Sequence, residues 1–199
     1  MSSEIRARLL SALARPAGPS SDYDLNGDVT LPAGRALRDA AVLVAVQPGP
    51  RGPEVILTKR SSGLKHHPGQ IALPGGKCDS CDADVTATAL REAREEVALP
   101  ESSAEILGRL PGHETVTGFT VTPVLAWLDR PAELRPQPGE VDEVFGVPLD
   151  HLLDPGRYAI QGRRWRGAIR RYYTVPWGPY YIWGATARIL HGLAGRMQP

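Results

Sequence analysis

The segment Arg91-Glu92-Ala93-Arg94-Glu95-Glu96 places three carboxylates within five consecutive positions. If it is helical, each residue advances by about 100°, and Glu92, Glu95 and Glu96 share an arc of roughly 100°. Like charges spaced three and four residues apart repel one another on a helix. Arg91 can approach Glu95 across one turn and relieve part of that repulsion. A hard divalent cation, Mg2+ or Mn2+, would relieve far more, because it prefers carboxylate oxygens and leaves positions open for water and phosphate. Just upstream, Pro74-Gly75-Gly76 reads as a sharp turn. Two glycines there permit positive φ and a close approach of the backbone to a metal or a phosphate. A site of this kind would polarise phosphoryl oxygens and activate a water for displacement at phosphorus. The hexapeptide alone suits a solvated helix of alternating charge equally well; the glycine elbow before it favours the metal site.

These residues need elements to hold them. Asp84 to Val97 is the strongest helix in the chain: Val85, Ala89, Ala93 and Val97 recur every four residues, Asp82 or Asp84 can cap its start, and Pro100 closes it. Ala40–Gln47 and Glu54–Lys59 read as strands, the first apolar enough to be buried on both faces. Further strands are expected at Ala104–Leu110 and Phe119–Trp127, with Arg157–Ile160 and Ala168–Val175 pairing around a turn at Gly162. Ser3–Arg15 and Tyr181–Ala194 have helical periodicity, and "VPLDHLLDP" a short helix ended by proline. Strands and helices mix without strict alternation, which predicts one α/β sandwich rather than a doubly wound sheet.

Composition narrows the function classes. The 199 residues suit a single domain, with 42% hydrophobic and 23% charged residues. A net charge of +1 lacks the basic excess usual in a nucleic-acid binder. The longest apolar run, Ala40 to Val46, is far too short to cross a bilayer. The N-terminal segment has no signal-peptide core, so a cytoplasmic protein without a membrane partner is expected. Cys78 and Cys81 form one C-x-x-C without a second ligand pair, and Asp79 and Asp82 disfavour thiolates there; they read as incidental loop cysteines. His66 and His67 lack partners at metal-ligand spacing and read as loop residues. Arg157, Arg163, Arg164, Arg166, Arg170 and Arg171 are left open between an exposed polar face and contact with a highly phosphorylated ligand.

Two adjoining motifs carry a resemblance. Gly76-x5-Asp82-x8-Arg91-Glu92-Ala93-x-Glu95-Glu96-x-Ala98-Leu99 resembles the Nudix box, G-x5-E-x7-R-E-U-x-E-E-x-G-U with U apolar. It departs from it by Asp82 for Glu, one extra residue before Arg91, and Ala98 for the late glycine. The extra residue is shared by the coenzyme A pyrophosphatase-like branch. That branch's second signature lies immediately upstream and reads here Leu57-Thr58-Lys59-Arg60-Ser61-x3-Lys65-x3-Gly69-x3-Leu73-Pro74-Gly75-Gly76, with Lys65 for Arg and Leu73 for Phe.

The resemblance implies a Nudix α/β/α sandwich with a mixed sheet over residues 35–195, the N-terminal helix and loop of residues 1–34 packing on it. It implies metal ligation by Glu92, Glu96 and the Gly76 carbonyl, with Glu95 completing the shell or orienting water and Arg91 holding a glutamate. Glu143 or Glu140 would add a later acid as base or ligand. Arg60, Lys65, Gly69, Gln70 and Gly75 would meet the substrate, Lys65 without the bidentate fork of an arginine. The implied activity is hydrolysis of coenzyme A or its derivatives, by a monomer or homodimer. The alternatives are another nucleoside diphosphate (ADP-ribose, NADH, a dinucleoside polyphosphate) or a non-catalytic module that senses a nucleotide.

Overall fold

Ala40 to Val46 is buried apart from half-buried Val42 and forms the heart of the 12-residue strand Arg38–Gly49. The computed structural model describes residues 2–27, 29, 34–165 and 167–198. In chain order its helices are α1 (Ser2–Ala14), α2 (Val85–Val97), α3 (Leu149–Leu152) and α4 (Gly184–Met197). The strands are β1 (Ser20–Ser21), β2 (Arg38–Gly49), β3 (Gly52–Arg60), β4 (Ile71–Ala72), β5 (Gly75–Lys77), β6 (Glu105–Arg109), β7 (His113–Glu114), β8 (Phe119–Trp127), β9 (Val141–Pro148), β10 (Ala159–Trp165) and β11 (Ala168–Thr174).

Among the described residues nine strands form one sheet, with β2 at its centre. β2 runs parallel to β8, from Arg38 opposite Phe119 to Val46 opposite Trp127, and antiparallel to β3 and β5. β3 continues antiparallel to β4 and β9. The sheet is therefore mixed. Alternation along the strands divides the core in two. Ala41, Leu43 and Ala45 face α2 with Ala89, Ala93 and Val97. Val44 and Val46 face the other way, with Leu9 of α1 and Leu190 and Leu193 of α4. Helices cover both faces, giving a single α/β/α sandwich. β10 and β11 make a separate hairpin, and no other strand pairs with the outer edge of β10 among the described residues.

Two local expectations are corrected. The hairpin turns at Gly167 (φ 86°), while Gly162 sits inside the ladder opposite Arg171. The last helix begins at Gly184 (φ 65°) rather than Tyr181, because Ile182 accepts from the Val175 amide and Trp183 bridges Thr174 as in a strand. Residues 141–148, which carry Glu143, form β9 against β3. Arg166 of the arginine run, and residues 1, 28 and 30–33 of the N-terminal segment, lie outside the described residues.

Candidate active site

Helix α2 starts where the Asp84 carboxylate accepts from the Thr86 and Ala87 amides. The small side chains of Ala89 and Ala93, both fully buried, let the helix settle close on the sheet. It ends at Ala98, which adopts the left-handed conformation (φ 56°, ψ 28°) and donates its amide to the Arg94 carbonyl. The chain thus keeps the turn that glycine usually makes, at a conformational cost borne by alanine.

Two glycines let α2 meet β5. A Cβ on Gly75 (φ 156°) would lie 2.3 Å from the Ala41 carbonyl oxygen. One on Gly76 would lie 2.5 Å from the Glu92 carboxyl carbon. The Gly75 amide donates to Glu96 Oε2 at 3.0 Å. Glu92 and Glu96 therefore both meet the glycine turn, one helical turn apart. Glu95 does not: it is about half exposed and pairs with Arg91 at 3.0 Å and Arg94 at 3.9 Å.

Arg91 is the hub of the loop and helix. It grips Asp82 in a bidentate pair, through Nε and Nη2 at 2.9 Å each. Its remaining donors reach Glu92 and Glu95 at 3.0 Å and the Lys77 carbonyl at 3.1 Å. Asp82 also accepts from the Thr88 hydroxyl at 2.8 Å, so the shorter acid still closes the loop onto the helix. The Arg91 guanidinium holds the Asp82 carboxyl well below the usual carboxylate range.

Glu96 is only 6% exposed. Burial pushes its carboxyl up to about 7, helped by the charges of Glu92 and Glu140 and opposed by the Gly75 amide and Arg60. Glu92 is pushed upward too, chiefly by burial, with Glu95 and Glu140 adding to it and Arg91 opposing it. Two desolvated carboxylates at a backbone turn are the donor set of a hard cation that keeps water and phosphate in its remaining positions. Glu92 and Glu96, with backbone oxygen at Gly76, could hold Mg2+ or Mn2+. Among the described residues no three acidic, His or Cys side chains already converge as a complete cage, because Glu95 is drawn away by the two arginines.

Several of the other expected residues border a cleft of about 1670 Å3, whose lining includes none of these glutamates and is linked to them through Arg60. Arg60 lines it and brings Nη1 to 3.8 Å from Glu96, while its buried Nε has no partner among the described residues. Gly69 (φ 68°), Gln70, His66 and His67 line it as well. Lys65 is exposed and does not. Glu143 stands on β9 opposite Lys59 and accepts from the Tyr180 hydroxyl; Glu140, just before that strand, is the acid whose charge reaches both Glu92 and Glu96. The cysteines are free, and the Asp79 hydrogen bond pushes the Cys81 thiol up, away from thiolate chemistry. Sequence reasoning missed Tyr172, Tyr180, Tyr181 and Trp183 of the cleft wall. Their one signal was the density of rings and prolines in residues 172–183, which fits no period.

Comparison with known proteins agrees with this architecture. A model of the NUDIX domain matches residues 37–166. The chain is 44% identical over 157 residues to an uncharacterised Nudix hydrolase, NudL, of Salmonella paratyphi B, covering 79% of this chain and 81% of the relative. NudL of Salmonella newport matches to the same extent. Among solved structures, a MutT/nudix family protein from Enterococcus faecalis superposes with a TM-score of 0.50 at 15% identity, over 86% of this chain and 66% of the other. A Nudix hydrolase from M. smegmatis, RenU, gives a TM-score of 0.49 at 28% identity, over 57% and 72%. The chain belongs to the Nudix hydrolase family, enzymes of the pyrophosphate bond that work with divalent metal ions.

Proposed function

We propose that this hydrolase cleaves the diphosphate of coenzyme A or an acyl derivative, releasing 3′,5′-ADP and 4′-phosphopantetheine or its acyl form. The observation that supports it most is the cleft. Its volume of about 1670 Å3 exceeds the roughly 300–1,000 Å3 of pockets for drug-sized ligands. Arg60 on its wall stands 3.8 Å from Glu96 of the acidic turn, and Gly69 and Gln70 from the second signature line it beside Arg60. A long substrate with a diphosphate partway along it fits that layout.

Glu92 and Glu96 would hold the divalent ion beside Gly76. Bound there, Mg2+ or Mn2+ supplies Lewis acidity at phosphoryl oxygen and a water of lowered pKa. Arg91 holds Glu92 and Glu95 in place, and Glu95, on the exposed side, is the residue to orient water. Arg60, on the cleft wall, offers its guanidinium to a diphosphate oxygen. The water oxygen bonds to one phosphorus, the bridging P–O bond breaks, and the bridging oxygen leaves on the other fragment. Glu143 stays engaged with Tyr180 on the cleft wall, which makes Glu140 the later acid better placed to assist.

The test is product identification by mass spectrometry after incubating the protein with coenzyme A and Mg2+ or Mn2+ in heavy-oxygen water. We expect 3′,5′-ADP and phosphopantetheine, one of them labelled at phosphate. Intact coenzyme A with both metals would overturn the substrate reading.

A further inference from the structure

We propose that the wall of the cleft farthest along the chain, the β10–β11 hairpin with the segment leading into α4, binds a purine nucleoside and reads a phosphate on its ribose. This rests on the proposed function and assigns the nucleotide half of that substrate to particular residues.

The rings of the wall fall into two kinds. Tyr180 stacks on Phe145 with centroids 3.7 Å apart and planes 11° apart, and Tyr173 stacks on His191 at 4.3 Å and 23°. Those faces cover one another. Tyr172 and Trp183 are 5.1 Å apart but tilted by 59°, so the two rings do not stack face to face. Tyr181 is 40% exposed and donates its hydroxyl to Gln161 at 2.7 Å, which holds the ring beside them. The bridge between Thr174 and Trp183 ties this group to the hairpin. Rings that are not stacked on one another, at the edge of a cleft, are a platform for a planar base. The flexible amide chain of a pantetheine has no such face to offer.

The arginines divide in the same way. Arg157 is paired with Asp154 at 3.2 Å and Arg170 with Asp22 at 3.3 Å. Arg163 and Arg171 line the cleft, and among the described residues neither forms an ion pair with a carboxylate. Arg163 lies over the Trp183 ring, 5.6 Å from its centroid. A guanidinium beside the base platform, with its fork uncommitted, suits a phosphate on the sugar of the stacked nucleoside. The wall also lies near the acidic end: a Cβ on Gly184, the residue after Trp183, would lie 4.0 Å from the Gln70 side-chain nitrogen, and Arg60 borders both the cleft and Glu96.

The experiment titrates metal-free protein with 3′,5′-ADP and with 5′-ADP, by calorimetry and by tryptophan fluorescence. Wild type should bind 3′,5′-ADP at least about tenfold more tightly than 5′-ADP. The double variant Arg163→Ala, Arg171→Ala should lose most of that preference, and Trp183→Ala should weaken both nucleotides by about tenfold. The ratio is read within one folded sample, with circular dichroism as the check, so loss of fold cannot imitate loss of preference. Equal affinities in wild type, absence of binding, or a double variant that keeps the ratio would overturn the inference. The outcomes separate the two readings. Hydrolysis of coenzyme A with an unchanged ratio sinks this site alone, and nucleotide binding without hydrolysis sinks the proposed reaction and leaves this site standing.

Discussion

Glu96 sits against the sheet with one backbone donor at 3.0 Å and a guanidinium at 3.8 Å. Without a cation the burial of its charge is only partly compensated. Its carboxyl is raised from 4.5 to about 7, so the folded chain holds a proton that the unfolded chain has released. Stability of the metal-free protein should therefore fall as pH rises through that window, by up to about 3 kcal/mol. Glu96→Gln removes the titration, and urea denaturation in chelator should show it more stable than wild type at pH 8 and nearly equal at pH 4. The same substitution should lower turnover by about a thousandfold. A variant that is both inactive and less stable at pH 8 would contradict this account. Much of this residue-scale picture was legible, since Arg91, Glu92, Glu96 and Gly75 are joined by helical spacing and one turn. The separation of Glu95 was not, because it depends on which carboxylates Arg91 and Arg94 reach in space.

At the scale of elements, α2 was legible because its buried residues repeat every four positions and Asp84 caps it. Its far end carries the next prediction. Ala98 is held at φ 56°, so Ala98→Gly should stabilise the protein by about 1 kcal/mol, seen as a higher urea midpoint at constant slope. Gly75→Ala should do the reverse, because the new Cβ would fall 2.3 Å from the Ala41 carbonyl; a loss of about 3 kcal/mol is expected, with weaker metal binding. The hairpin turn was misplaced because Gly162 and Gly167 both permit a turn, and only pairing with β11 decides between them. β9 was missed because Asp142 and Glu143 mask the pattern of Val141, Val144 and Val147, which is set by packing on β3.

The whole molecule assembles its cleft from distant parts, and sequence has least to say there. Buried Asn26 donates its amide to the Arg171 carbonyl at 3.0 Å and accepts the Arg171 amide at 2.8 Å, across 145 residues. No local pattern announces such a clasp. Asn26→Ala would leave both backbone groups unmatched, and should cost about 1–3 kcal/mol and raise KM more than it lowers kcat, because the hairpin wall loses its anchor. Stopped-flow and steady-state kinetics on the variant would show it.

That clasp shields one side of the hairpin, and the opposite strand faces outward. β10 has no neighbour along its outer edge among the described residues, and a bare edge is a template on which another copy can add itself. Arg163 and Arg164 ride on that strand. Two molecules meeting there edge to edge would confront guanidinium with guanidinium, so charge repulsion on this strand would oppose pairing of two copies. The protection is electrostatic and therefore conditional. At 1 M salt, with screening shortened to about 3 Å, light scattering should detect self-association that dilute buffer suppresses, and Arg164→Glu paired with the wild-type chain should bring it on without any salt at all.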